Sequence, residues 1–283
     1  MRISVIIPVY NRVNLVGRAL TSVYAQSRSP WEVIVVDDGS SDGTGDYVRS
    51  HFPQARYIHQ SNQGVSAARN RGIDAASSDW LAFLDSDDEW LPQKLQIQCR
   101  ALETNSKHRV CHSNEVWVRR GKRVNPMRKH AKSGGNIFRR CLPRCVISPS
   151  SVIVHRSVLE TVGGFDEALP VCEDYDLWLR VCAVYSVFYV EQPLIIKYGG
   201  HPDQLSQRHP AMDRFRIEAL EKIVRGGTLS PADRHAAVNT LLQKIRIYTD
   251  GAEKRGRWQE VLSYRQKCAL YAPFTADYYT TPA

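Results

Sequence analysis

Nothing in this 283-residue sequence is long and apolar enough to span a bilayer, and it has no internal repeat or low-complexity stretch. Membrane-spanning, solenoid and fibrous architectures are therefore not expected. The N-terminal apolar stretch Ile3 to Val9 is short and carries Pro8, so it reads as a first strand and not as an export signal. The expected location is cytoplasmic. The seven cysteines (Cys99, Cys111, Cys141, Cys145, Cys172, Cys182 and Cys268) are odd in number and none forms a C-x-x-C pair. That argues for reduced thiols over a disulfide framework or a zinc site. Neither a Walker A sequence nor a Gly-x-Gly-x-x-Gly follows the first strand, which leaves ATP and NAD chemistry without support.

Acidic residues are missing from one long stretch. Between Arg119 and Arg144 there are ten Lys or Arg and no Asp or Glu, and without those ten the chain has 28 basic against 29 acidic residues. The net charge of +9 is thus a local property. It points to a local anionic partner, such as an anionic membrane surface, more than to nucleic acid. The same composition also suits a solvated loop.

The first hundred residues alternate strand and helix signals. Ile3 to Val9, Glu32 to Val36, Arg56 to His59 and Trp80 to Leu84 read as strands. Helical spacing recurs at Leu15–Val23, around Tyr47 and over Val65 to Ala76. Such alternation predicts an α/β fold, with right-handed units and a Rossmann-like, mostly parallel sheet flanked by helices. A further helix is expected from near Pro92. Beyond it the pattern predicts strands at Val110–Val118, Ser151–Val154, Val187–Val190 and Leu194–Tyr198, and a helix over Glu173–Tyr185. From about His209 the chain reads as a C-terminal helical extension, with a helix start at Ser230-Pro231-Ala232-Asp233.

The chemistry concentrates where strands end. Asp85-Ser86-Asp87-Asp88 follows the apolar run Trp80 to Leu84 directly, and ligand sites in open α/β sheets lie beyond the carboxyl ends of strands. Clustered carboxylates repel one another unless a cation sits among them, and Mg²⁺ commonly joins one or two carboxylates to a substrate diphosphate. The tetrad would equally serve as a solvated turn capping the next helix. A second acidic turn, Asp37-Asp38-Gly39-Ser40-Ser41-Asp42-Gly43-Thr44, ends the second strand. Asp38 there would accept a hydrogen bond from a base or a ribose, while Ser40, Ser41 and Asp42 are expected to be structural. Tyr10 offers a flat face for stacking, or for packing.

Several blocks, in this order, resemble family-two inverting glycosyltransferases: Ile3 to Asn11, Glu32 to Thr44, Asn62-Gln63-Gly64 with Ala68-Arg69-Asn70, and Phe83 to Asp88. Gly163-Gly164-Phe165-Asp166-Glu167 and Glu173 to Arg180 continue the likeness. It covers about residues 1–205 and implies the glycosyltransferase A fold. Residues 1–105 would form a nucleotide-sugar half, 106–205 an acceptor half, and 206–283 the helical extension. By resemblance Pro8 and Tyr10 line the base pocket, Asp38 binds the base and Asp85 the ribose. Arg69 lies near the nucleotide. Asp87 would hold Mn²⁺ or Mg²⁺ on the diphosphate, joined by His201. Asp174 would be the catalytic base, near a helix N-terminus that favours its charge. Glu173 and Trp178 are candidates for the acceptor side, Trp178 being equally suited to the core. Asp176 and Arg180, four residues apart, are expected to pair on the helix surface.

The implied activity is metal-dependent, inverting transfer of a sugar from a nucleoside diphosphate sugar donor to a hydroxyl of a glycan or lipid-linked acceptor in cell-surface polysaccharide biosynthesis. A Gln-x-x-Arg-Trp element of processive synthases is absent, since Lys254 stands at the glutamine's place before Arg257-Trp258; single additions are expected. Gly199 stands where many relatives carry an arginine, so a phosphate contact there is not carried over. The rival readings are a catalytically silent sugar-nucleotide or glycan-binding module and a nucleotidyltransferase. The second lacks its Gly-rich phosphate loop. An oligomer, and contact of the enzyme with the inner membrane face, are both compatible with the sequence.

Overall fold

A computed structural model describes residues 1–200, 209 and 211–276. The strands are β1 (Ile3–Val9), β2 (Glu32–Asp37), β3 (Arg56–His59), β4 (Trp80–Phe83), β5 (Glu89–Trp90), β6 (Val110–Arg119), β7 (Lys122–Val124), β8 (Ile153–His155) and β9 (Phe188–Gly199). They form one sheet in the order β3-β2-β1-β4-β8-β6-β9-β5, with β7 added to β6. The helices are α1 (Val16–Tyr24), α2 (Thr44–His51), α3 (Val65–Ala75), α4 (Lys94–Thr104), α5 (Phe138–Cys141), α6 (Arg156–Val162) and α7 (Glu173–Val184). After them come α8 (Asp213–Arg225), α9 (Pro231–Glu253), α10 (Trp258–Tyr271) and α11 (Pro273–Ala276).

The first four strands run parallel to one another, as their βα alternation requires. In the second half β8 runs antiparallel to β4 and β6, and β5 antiparallel to β9. The expected mostly parallel sheet therefore holds for the first half, and the whole is mixed. β1 is buried along its full length, with Val5 and Ile7 entering one core and Ile6 the other. That is the behaviour of a strand covered on both faces. Helix α3 lies tight on β1: a Cβ at Gly72 would sit 2.4 Å from Ile6 Cγ2, so glycine alone permits this approach.

Two local readings change. The apolar runs at 187–190 and 194–198 are one strand, β9, which crosses Pro193 through a register shift opposite Ser113–Glu115. Proline lacks the N–H needed to keep the ladder regular, and a bulge absorbs the defect. Helix α4 begins at Lys94, because Glu89 and Trp90 are drawn into pairing with Ile196 and Ile195 of β9. None of the helices among the described residues is long and apolar enough to cross a membrane.

Candidate active site

The carboxyl ends of β1, β2 and β4 open into a cleft of about 870 Å³. Pro8, Tyr10, Asp38, Arg69, Asp85, Asp87, Glu173 and Asp174 all line it. These residues come from five separated stretches of chain, and the parallel strand order brings them to one edge. His201 lies outside the described residues.

On the β2 side, Asp38 is buried and holds a loop. Its Oδ1 accepts from Gln60 Nε2 at 2.8 Å and from the Gln63 N–H at 2.9 Å, and its Oδ2 from the Gly64 N–H at 2.8 Å. Gly64 has φ +95°, a conformation for which glycine is suited, and directly precedes α3. Asp37 next to it is structural, accepting from Tyr57 Oη and the Ser40 N–H. Ser40 and Ser41 tie this turn to Asn11, and Asp42 binds Thr44 and the Val13 N–H, as expected.

Arg69 is the hub. The guanidinium, 3% exposed, reaches Asp85 Oδ1 and Glu173 Oε1, both at 2.7 Å, and lies over the Phe165 ring. Burial opposes its charge, yet the two carboxylates hold its pKa above the ordinary value. Glu173 is pushed up by burial, with Arg69 opposing that shift. Its carboxylate faces Arg69 on the cleft wall. The next residue, Asn70, clamps the Gly163–Glu167 turn through Phe165 N, Phe165 O and Glu167 Oε1. This explains why two blocks so distant in sequence occur together.

The acidic tetrad divides its labour. Asp88 turns inward: Oδ2 accepts from Ser150 Oγ at 2.7 Å and Oδ1 from the Tyr198 N–H at 3.2 Å. Burial lifts its pKa well above the carboxylate range, Lys197 opposes this, and Asp87 and Asp85 add to the rise. Ser150 Oγ also accepts from the Asp85 N–H. Arg18 of α1 stacks 3.7 Å over the Tyr198 ring and donates to the Asp87 carbonyl, pinning the loop from outside. Asp85 and Asp87 are left on the cleft wall.

Opposite stands α7. Cys172 precedes it at φ +64°, in the left-handed region, which costs a non-glycine residue about 1–2 kcal/mol. That turn sets Glu173 and Asp174 at the helix start, where the backbone dipole favours negative charge. Asp174 Oδ1 accepts from the Tyr175 N–H at 2.7 Å, and Oδ2 from Cys145 Sγ at 3.2 Å.

A buried ionic group that sequence reasoning missed supports this wall. Lys197 of β9 lines the cleft, and its Nζ is 3.4 Å from Ser148 Oγ. Burial opposes its charge, but Glu115, Asp88, Asp85 and Asp174 hold the ammonium above its ordinary pKa. Behind it, Lys132 pairs with Glu115 at 3.1 Å. Burial works against ionised Glu115, yet Lys132 and Lys197, with donors from Ser148 and Trp117, bring its pKa down to about 2. The sequence signal was slight: Lys197 and Glu115 sit one each in otherwise apolar or neutral strand stretches.

Three expectations are corrected. Trp178 is fully buried beside Tyr175 and Leu179 in the main core, so it offers no acceptor platform; this side of α7 packs inward. Asp176 is 2% exposed and pairs with Arg180 and with Lys222 of α8, so the pair is an internal tie and not a surface one. Arg180 also donates to the carbonyls of Val162, Gly163 and Gly164. The basic segment is not simply a solvated loop: it contains β7 and α5, and Lys132 within it is buried. Arg119, Arg120, Lys122 and Arg123 remain exposed on the β6–β7 hairpin.

Residues 4–163 match the family model described as glycosyl transferase family 2. An uncharacterized glycosyltransferase of Rickettsia felis is 32% identical over 195 residues, 68% of this chain and 32% of its own length. The chain thus spans about a third of that relative. The Escherichia coli protein named UDP-Glc:alpha-D-GlcNAc-diphosphoundecaprenol beta-1,3-glucosyltransferase WfgD is 30% identical over 188 residues, 63% of this chain and 69% of that one. Among solved structures, S. aureus TarS 1–349 in complex with UDP-GlcNAc superimposes with a TM-score of 0.67 at 18% identity, covering 96% of this chain and 92% of that one. The mannosyltransferase PcManGT from Pyrobaculum calidifontis, in complex with GDP-Man and Mn2+, gives 0.61 at 17% identity, covering 97% and 85%. These structures share the fold of the sheet and its flanking helices, the glycosyltransferase A fold. By its matched length and its relatives, this chain belongs to glycosyl transferase family 2.

Proposed function

We propose that the chain is an inverting, non-processive glycosyltransferase that moves a sugar from a nucleoside diphosphate to a hydroxyl of a glycan or lipid-linked acceptor, in cell-surface polysaccharide biosynthesis. The observation that most supports this is the convergence of Asp38, Asp87 and Asp174 on one cleft. Such a convergence suits one residue for the nucleotide end, one for the diphosphate and one for proton removal. The donor half is 1–105, the acceptor half 106–205 and the helical extension 206–283. The donor class is suggested by the UDP-sugar named for WfgD and the UDP-GlcNAc bound to TarS; the lipid diphosphate acceptor follows WfgD's name alone.

In this reading Pro8, Tyr10 and Asp38 receive the base and Asp85, held by Arg69, the ribose. Asp174 accepts the proton of the acceptor hydroxyl as its oxygen attacks the anomeric carbon. The bond from that carbon to the diphosphate breaks with its electron pair on the leaving oxygen, and the anomeric centre inverts. The ammonium of Lys197 lies on the wall between the acidic loop and Asp174, where it favours the extra negative charge of the departing group.

A divalent cation fits the residues in part. Among the described residues no cluster of three or more His, Cys, Asp or Glu is arranged to hold one. A single cleft-facing carboxylate plus substrate phosphates nevertheless matches the way Mg²⁺ is commonly held. Asp87 supplies that carboxylate, and His201 is the second proposed ligand. Mn²⁺ or Mg²⁺ bound there would neutralise charge on the leaving diphosphate.

The test is Asp174→Asn. Release of nucleoside diphosphate from UDP-glucose, UDP-GlcNAc or GDP-mannose with Mn²⁺ should fall by at least about a hundredfold, while the thermal shift given by the donor persists. Unchanged turnover would remove Asp174 from the reaction. Loss of donor binding alone would make the residue part of the nucleotide pocket.

A further inference from the structure

Cys145 touches the carboxylate that the proposed reaction uses most directly. Its Sγ is 3.2 Å from Asp174 Oδ2 and 3.1 Å from the Ile147 carbonyl oxygen. One S–H proton therefore has two acceptors at nearly equal distance. Burial pushes the thiol pKa well above its ordinary value, and Asp174 adds to the rise. The sulfur thus keeps its proton over the working range and acts only as a donor.

We propose that Cys145 is a positioning residue for Asp174, its S–H holding Oδ2 while the carboxylate is ionised and turning to the Ile147 carbonyl once Asp174 has taken the acceptor's proton. This rests on Asp174 as the base. The other oxygen, Oδ1, is held by the Tyr175 N–H, so the two donors together set the plane of the carboxylate. During transfer the hydroxyl O–H bond breaks, an O–H bond forms on Asp174, and the sulfur keeps its own proton throughout. A second fixed donor at Oδ2 could not follow this change without losing its acceptor; a thiol between two acceptors can. The charged and titratable groups around the pair are Lys132 from the basic segment, Lys197 from β9, Cys172 and Glu173 at the start of α7, and Cys141 on α5. None of these except Glu173 is adjacent to Asp174 in sequence, and no other side chain is seen donating to Asp174 Oδ2 among the described residues.

The experiment compares Cys145→Ala, Cys145→Ser and Asp174→Asn in the full chain. The readout is hydrolysis of whichever of UDP-glucose, UDP-GlcNAc and GDP-mannose, with Mn²⁺, raises the melting temperature most, followed across pH with water as the nucleophile. Losing a donor to an ionised carboxylate should move the acid limb of the turnover profile of Cys145→Ala upward by about half to one pH unit. Cys145→Ser retains a hydroxyl donor and should return the limb to the parent position or below it, with KM for the donor unchanged in both. If both variants keep the parent profile while Asp174→Asn is inactive, the thiol has no positioning role and the base assignment stands. If alanine and serine shift the limb alike, packing and not donation is at work, and the inference fails. Should Asp174→Asn hydrolyse the donor as fast as the parent, the base assignment fails and this inference with it. Where Cys145→Ala does not fold, the serine profile alone decides: a limb above the parent's contradicts donation.

Discussion

Replacing Lys94 with methionine should stabilise the protein, and do so most at neutral pH and below. Lys94 opens α4 and is completely buried, with its Nζ 4.0 Å over the Trp90 ring and no hydrogen-bond partner among the described residues. Burial lowers its pKa from 10.5 to about 7, with only the thiols of Cys111 and Cys99 opposing. Below the folded value both states are protonated, and the native state bears the full cost of an interior charge. Between the two values the unfolded chain binds the extra proton, so unfolding free energy rises with pH by about 1.4 kcal/mol per unit. The full window corresponds to at most about 4–5 kcal/mol, and relaxation around the ammonium with its ring contact reduces that to about 2–3 kcal/mol. Methionine conserves length and volume while removing the charge. Urea unfolding of parent and Lys94→Met, run in parallel at about pH 7.5 and about pH 9.5, should show a stability gain that shrinks by at least about 1 kcal/mol at the higher pH. Other groups titrating in that range cancel in the difference. A constant gap, or a less stable variant at both pH values, would refute the reasoning and mean that the ammonium is satisfied where it lies.

Arg69→Met removes the shared counter-ion of Asp85 and Glu173 and should cost about 3 kcal/mol, since the buried Glu173 carboxylate then lacks its partner and the part-exposed Asp85 loses one as well; denaturant unfolding measures this, and loss of nucleotide thermal shift should accompany it. Asp87→Asn should abolish the increment that Mn²⁺ adds to thermal stabilisation by a sugar nucleotide while leaving the metal-free increment, and chelation of the parent should give the same result. Neutralising Arg119, Arg120, Lys122 and Arg123 on the β6–β7 hairpin should weaken binding to vesicles of phosphatidylglycerol by at least about tenfold at low salt, because each basic residue near an anionic surface contributes about 1 kcal/mol. The hairpin is suited to this, as the Arg120 N–H bonds Gly199 at the end of the strand that brings Lys197 and Tyr198 to the cleft. Equal binding by parent and variant in a sedimentation assay would reduce the segment to solvated surface.

What could be read from the sequence, and what could not, follows the range of the forces involved. The strands of the first half were legible because burial on both faces demands unbroken β-branched runs such as Val33 to Val36. The acids at their ends were legible because parallel winding sends every such end to one edge, which brought Asp38, Asp85 and Asp87 together. Those are consequences of local pattern plus a handedness rule. The division of labour within the tetrad was not legible. Asp85, Asp87 and Asp88 are the same residue type within four positions, yet it is Asp88 whose carboxylate accepts from Ser150 Oγ and the Tyr198 N–H. Likewise Trp178 and Asp174 are four apart on one helix, and which of them faces core or cleft depends on how α7 is rotated against its neighbours. Lys197, Glu115 and Lys132 come from three elements and are meaningful only as a buried group whose charges compensate one another. By itself, then, the chain's order of residues determined the winding of the sheet and the edge at which the site lies. Tertiary packing decided which carboxylates are spent on holding the structure and which remain for a ligand, because burial and charge pairing are set by neighbours far away in sequence.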